Sequence, residues 1–305
     1  YKALNSNTTG NENTAVGQLS LAANTTGSSN TAFGRASLNA NTTASYNVGY
    51  GTDSLQVNTT GGSNTAVGFR SLFANTTASN NTAVGYQAGY SNTTGGSNSA
   101  FGRASLFTNT TGIYNVAIGE QALKSNTTAS SNTAVGYRAG HAGTTGGGNV
   151  LIGNDVGFYG TTADNNVAIG NFAMHLNTTA DRNVAIGTSA LNQFNVTSNA
   201  DTYNTAVGGL AMYQTTTGTL NTAIGGQALQ NNTTASNNTA VGYQAAYSNT
   251  TGTENVAVGR LALNQATTAS YNTAIGTNAL QDNTTGASNT ALGRSALTNN
   301  TTASD

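Results

Sequence analysis

The stretch Asn166-Val-Ala-Ile-Gly170 decides how this chain is read. It returns, lightly varied, as Asn132-Thr-Ala-Val-Gly136, Asn221-Thr-Ala-Ile-Gly225 and Asn289-Thr-Ala-Leu-Gly293. Its closing glycine stands at 17 and at every 17th residue up to 187, then resumes at 208 and runs on to 293. A 12-residue remnant, 17 units of 17 and four inserted residues account for all 305 positions. The sequence therefore reads as one repeat array over 1–305, with a single insertion at 192–203.

Counted from its Asn, the unit is N-[TV]-A-[VI]-G-x-x-[AS]-L-x-x-N-T-T-[AG]-S-x. Positions one to five are rich in β-branched residues, alternate with period two and close on Gly, which predicts a short strand. A second extended segment is expected over the Asn-Thr-Thr stretch, after which Ala/Gly-Ser turns the chain back. Helix is excluded by the density of Gly and Asn and by the lack of a 3.6-residue apolar stripe. Two short strands and two turns per unit make one coil of an all-β parallel β-solenoid. Identical positions then stack about 4.8 Å apart.

Within the strand, positions two and four share one face and positions three and five the other. The apolar character of position four predicts that it points inward, as a core ladder of Val16, Val67, Ile118, Ile169 and Ile186. Position nine supplies a second ladder through Leu21, Leu72, Leu123 and Leu191. The small residues at positions three and five, as in Ala117 and Gly119, would leave an outer face nearly flat. That face reads either as a contact surface between chains or as a weak strand open to solvent.

Leu, Ile, Val and Phe make up roughly one residue in six, a level usual for disordered chains, but high net charge is missing. Nine basic and ten acidic residues give a net charge of −1, thinly spread. This argues against nucleic acid and anionic membrane surfaces as partners. No run of 18 apolar residues predicts a membrane-inserted helix, and the absence of Cys excludes disulfides and thiolate zinc sites. The chain opens at Tyr1 in mid-unit, as expected of a processed chain or the repetitive portion of a longer one. Neither end shows a polar cap, which predicts flanking domains or head-to-tail stacking of copies.

Catalytic chemistry finds no footing. His141 and His175 are the only histidines, and the ten carboxylates form no recurring pair. Neither a cofactor nor a metal is expected, and the chain reads as something other than an enzyme. Arg35, Arg103, Arg260 and Arg294 share position six and read as solvated edge charges.

The strongest candidate for function is the Asn-Thr-Thr column. Asn7, Asn24, Asn41, Asn58, Asn75, Asn92, Asn109, Asn126, Asn177, Asn232, Asn249, Asn283 and Asn300 each fit the N-glycosylation pattern, and Asn195 in the insertion fits it too. The alternative is structural: stacked Asn and Thr side chains hydrogen-bond along a solenoid and satisfy its turns.

Asn166-Val-Ala-Ile-Gly170 and Asn183-Val-Ala-Ile-Gly187 resemble the N-S-V-A-I-G head repeat of trimeric autotransporter adhesins of the Yersinia adhesin type. The longer form N-T-A-[IV]-G-x-x-A-L-x-x-N-T-T-G is similar to arrays in bacteriophage tail-fibre-type proteins. The resemblance implies a left-handed β-roll and three chains side by side on a cell or virion surface.

Some coils vary together. In Tyr86-Gln-Ala-Gly-Tyr90, Tyr137-Arg-Ala-Gly-His141 and Tyr243-Gln-Ala-Ala-Tyr247 the position-nine Leu is lost and rings appear beside it. The rings either cover the gap or form a groove for sugar. The middle, 136–162, is the least regular: Gly143 and Gly160 replace the ladder Asn, and Val150-Leu-Ile152 is unusually apolar. The insertion 192–203 is expected to bulge from a turn.

Taken together these features predict the structural shaft of an extracellular or virion-borne fibre, with its Asn-Thr-Thr ladder as the candidate site for sugar. Its expected partner is itself, as a homotrimer or a head-to-tail polymer. Two alternatives stand beside it, an adhesin for surface glycans and an ice-binding solenoid that orders water on an outward Thr column.

Overall fold

The computed structural model describes residues 2–304. It is a parallel β-solenoid of 17-residue coils, with 19 strands and no helix among the described residues. The chain divides into two compact units, Tyr1–Gly148 and Asn149–Asp305. The division falls inside the irregular stretch 136–162.

The first unit carries Thr14–Val16, Thr31–Phe33, Val48–Tyr50, Thr65–Val67, Thr82–Val84, Ser99–Phe101, Val116–Ile118 and Thr133–Val135 (β1 to β8). Each pairs in parallel with the next at a shift of one repeat, as in Thr14 with Thr31 and Val116 with Thr133. The second unit carries Val150–Ile152 (β9), Val167–Ile169 (β10), Ala180–Asp181 (β11), Val184–Ile186 (β12) and Ala200–Asp201 (β13). It continues with Thr205–Val207, Thr222–Ile224, Thr239–Val241, Val256–Val258, Thr273–Ile275 and Thr290–Leu292 (β14 to β19). The 21-residue step leaves the register intact, since Val184 still pairs with Thr205 and Ile186 with Val207.

The strand expected over Asn-Thr-Thr does not form. In the coil at 24–26, the N–H groups of Thr25 and Thr26 both reach the carbonyl of Thr42, at 2.9 and 3.3 Å. One acceptor serving two successive donors stacks the coils without a β ladder, in which successive N–H groups point to opposite sides. Only the short β11–β13 pair, flanking the insertion, adds a second sheet.

The opposite wall, positions six to ten, alternates hands. Leu19 and Leu21 have φ of 60° and 47°, and every coil among the described residues repeats this at positions seven and nine. The zigzag sends one N–H back a coil (Ala36 to the carbonyl of Gln18, 2.8 Å) and the next forward (Leu38 to the carbonyl of Ser54, 2.9 Å). Gly at position five is imposed by contact. A β-carbon on Gly17 would lie 2.6 Å from the carbonyl oxygen of Gly34, at a φ of 124°.

The strand is inverted relative to the sequence expectation. Position three faces inward, with Ala32, Ala66, Ala117 and Ala185 fully buried. Position four faces out: Val16, Ile118 and Ile186 are 47, 42 and 36% exposed, and Val67 and Ile169 are half-buried. In coils that keep a large side chain at position nine, the interior is too narrow for a branched side chain there. Where Gly49 replaces the Ala, even a single β-carbon would lie 2.4 Å from the Ser37 hydroxyl and 3.4 Å from Leu38. The position-nine ladder is buried as expected through Leu21, Leu72, Leu123 and Leu191. The Ala of the flat face is therefore core, its Gly is half-buried at the strand's end, and the apolar β-branched face is the one turned outward.

Loss of the position-nine Leu is repaired from within. At Gly89 the side chain of Leu72, one coil earlier, leans into the gap, 2.9 Å from where a β-carbon would stand. At Gly157 the filler is Leu151, from position three of the same coil, at 2.9 Å. The rings outside do something else: Phe73, Tyr90 and Phe107 stack on one another in nearly parallel planes at 5.1 Å spacing. Their faces are spent on each other, so they form no sugar groove.

Candidate functional site: asparagine ladders and the outward face

Two asparagine columns line the interior. At position twelve, Asn24 Nδ2 donates to Asn7 Oδ1 (2.8 Å), and the same link repeats through Asn41, Asn58, Asn75, Asn92, Asn109 and Asn126. At position one, the backbone N–H of Asn30 donates to Asn13 Oδ1 at 3.0 Å, and this too recurs coil by coil. Both columns meet on one atom. The carbonyl of Gly27 accepts from Asn13 Nδ2 at 2.8 Å and from Asn24 Nδ2 at 2.9 Å, so both its lone pairs are used. A coil that carries both residues in this arrangement, as at 30–46, is clasped shut by its own two asparagines while each also grips the coil before it.

This geometry decides the reading of the Asn-Thr-Thr column. Asn24, Asn41, Asn58, Asn75, Asn92, Asn109, Asn126, Asn177, Asn232, Asn249 and Asn283 are buried, and Asn7 and Asn300 are half-buried. In all thirteen, Nδ2, the atom a sugar would occupy, donates to the carbonyl three residues on. At the eleven buried positions the folded ladder therefore has no place for N-linked sugar, a correction to the glycosylation expectation there. Asn195 differs: it is exposed, and its Oδ1 accepts from the Thr178 hydroxyl at 2.6 Å. The first Thr of each triplet is also engaged, as Thr25 Oγ1 donates to the carbonyl of Thr42 at 3.1 Å. The second, as in Thr26, Thr43 and Thr60, is exposed.

Ladder breaks leave marks. Gly143 and Ala266 stand where an Asn would donate backward, and the buried Oδ1 atoms of Asn126 and Asn249 have no partner. Thr215 substitutes in part by accepting from Asn232 Nδ2 at 3.3 Å. In the insertion, Phe194 takes the ladder position and is fully buried. The insertion is thus largely folded into its coil, with Thr197, Ser198 and Asn199 forming the exposed tip. Sequence reading missed both Phe194 as core and position one as a ladder. The invariance of Asn at position one carried that second signal.

Beside the insertion, Asp164, Asp181 and Asp201 fall close together. Asp181 Oδ1 accepts from the N–H of Asp164 at 2.6 Å, and Arg182 bonds Asp201. Burial pushes the Asp181 carboxyl up from its ordinary range, opposed by the Asp164 N–H, with the charges of Asp164 and Asp201 adding to the rise and Arg182 countering them. Elsewhere charges pair locally: Arg35 and Arg70 both reach the buried Asp53, at 2.9 and 3.4 Å, and Arg103 meets Glu120. His175 is enclosed by Phe158, Tyr159 and Phe172, its Nδ1 2.8 Å from the carbonyl oxygen of Asp155. Among the described residues no group of His, Cys, Asp or Glu could hold a metal ion, and no helix is long and apolar enough to cross a membrane.

The remaining surface of note is the outward face of each unit's sheet. In the first unit, position four presents Val16, Phe33, Tyr50, Phe101 and Ile118 to solvent, with Phe33 and Tyr50 stacked at 4.8 Å. In the second, Ile152, Ile186, Ile224, Ile275 and Leu292 do the same. Thr or Val at position two runs alongside. Comparison with known protein families and with curated proteins finds no match to this chain.

Proposed function

We propose that this chain is a structural element, the shaft of a fibre carried outside the cell or on a virion, whose copies pack through the outward faces of their sheets. The observation that carries the reading is the exposure of the position-four column. A contiguous apolar stripe on a protein with so few large apolar residues is a surface meant to be covered. A second copy is the fitting cover, because the stripe has the same 17-residue period in every chain and two such stripes interlock in register. Resemblance to the autotransporter head repeat favours three chains. The interior supplies the mechanical part: closed hydrogen-bond columns resist shear between coils, and no activity is asked of any side chain.

Sedimentation equilibrium and mass per length from unstained particles test this directly. Particles at three times the 30.5 kDa chain mass support the bundle. A chain that stays single at high concentration would remove the shared-face shaft from consideration.

A further inference from the structure

We propose that Tyr46 and Tyr114 form a binding ridge for a neutral linear polysaccharide, laid along the stacking direction of the first unit. Both occupy position seventeen, just before the strand Asn, and they are 68 and 62% exposed. Their φ angles are 63° and 58°. This left-handed region is uncommon for any residue with a β-carbon and disfavours bulky ones. Coils of the same unit put Ser29, Ser63, Asn80, Ser97 and Ser131 at that position with the same backbone, so the turn itself does not call for an aromatic ring. A large ring held in a sparsely allowed conformation and turned to solvent points to a role outside folding.

The ring faces are free. Elsewhere in the unit, Phe33 with Tyr50, Phe69 with Tyr86, and Phe73 with Tyr90 and Phe107 use their faces on each other. Neither Tyr46 nor Tyr114 has such a neighbour among the described residues. They stand four coils apart, about 19 Å along the stack. Between them the same column offers Ser63, Asn80 and Ser97, all short and hydrogen-bonding. The columns on either side, Ser45, Gly62, Ser79, Gly96 and Ile113, and Val48, Thr65, Thr82, Ser99 and Val116, contain no charge. Two open aromatic faces joined by a row of hydroxyls and an amide, without ionic groups, match the apolar ring faces and hydroxyl edges of a neutral glycan. The second unit repeats the spacing with Tyr203 and Tyr271, at φ of 49° and 62°, although Arg182 already lies over the Tyr203 ring at 5.8 Å.

The test uses the full chain, which contains thirteen Tyr and no Trp, so a tyrosine-fluorescence change on binding is assigned to these two rings by its loss in the Ser variants. Co-sedimentation with cellulose, chitin, xylan and amylose is measured, followed by titration with oligosaccharides of increasing length. Retention on at least one of these is expected, with affinity rising sharply once the oligosaccharide reaches both rings. Tyr46→Ser or Tyr114→Ser each weakens binding by about tenfold, near the upper limit for one aromatic stack. The double variant loses binding while its unfolding midpoint holds, because Ser is the native residue of sibling coils. Failure to retain any of the four polymers, or undiminished retention by the double variant, overturns the proposal. The shaft reading is judged separately by chain count, so either can fail alone.

Discussion

Asn24 and Asn7 are joined by a hydrogen bond of 2.8 Å between side-chain amides one coil apart, and the same Asn24 nitrogen closes its own turn on Gly27 at 2.9 Å. One side chain thus both closes a turn and ties two coils together. Loss of one ladder amide breaks both. Asn75→Ala leaves Asn58 Oδ1 buried without its donor and removes one of the two donors to the carbonyl of Ala78. It is expected to cost about 2–3 kcal/mol in urea unfolding. Thr77→Ala, two residues away but exposed, should stay within about 0.5 kcal/mol.

The converse substitution should stabilise. Ala266→Asn places a donor against the unpartnered Oδ1 of Asn249 and an acceptor before Asn283, in a backbone that carries Asn at this position in neighbouring coils. A gain of about 1–2 kcal/mol is expected, read as a higher urea midpoint with an unchanged slope.

The inverted strand yields a pair of opposite outcomes within two adjacent residues. Ala117→Val overfills the narrow interior and should destabilise by about 1–3 kcal/mol. Ile118→Ser, on the outward face, should leave the unfolding midpoint of the isolated chain nearly unchanged but shift sedimentation toward single chains.

Acidity should act through Asp181. Its folded-state pKa is raised above the ordinary value, chiefly by burial, so the folded state holds the proton more tightly than the unfolded one. That contribution is fully present below the ordinary carboxylate value and is lost as pH rises through the raised one. At neutral pH the buried charge works against the fold. Asp181→Asn keeps an acceptor for the Asp164 N–H and is expected to raise stability at neutral pH. Unfolding midpoints taken from pH 7 downward should converge for the two proteins as the native carboxyl takes up its proton.

Much of the architecture was legible in the period alone. Glycine every 17 residues fixes coil length, in-register stacking follows, and the Leu ladder of Leu21, Leu72, Leu123 and Leu191 lies where the spacing puts it. The facing of the strand was not legible from hydrophobicity. Alternation separates Ala117 from Ile118 but does not say which side is inside. The deciding information is size: Asn115 and Ala117 share a parity, and only residues that small or that well bonded fit between two walls this close. The Asn-Thr-Thr column illustrates a second limit. A triplet read as a modification signal and the same triplet read as an interior clasp are identical in sequence, and burial separates them. Phe194 is hidden in the sequence because the insertion breaks the numbering that makes the position-nine Leu ladder visible.

The ladder also has a direction. Every position-twelve amide from Asn24 to Asn126 gives its hydrogen to the preceding coil, and every oxygen from Asn7 to Asn109 accepts from the following one. A coil leaving the ribosome after its predecessor has folded therefore arrives carrying donors, and finds the matching acceptors already fixed in place. Along this column, growth from the N-terminal side presents each new amide with an acceptor already in place.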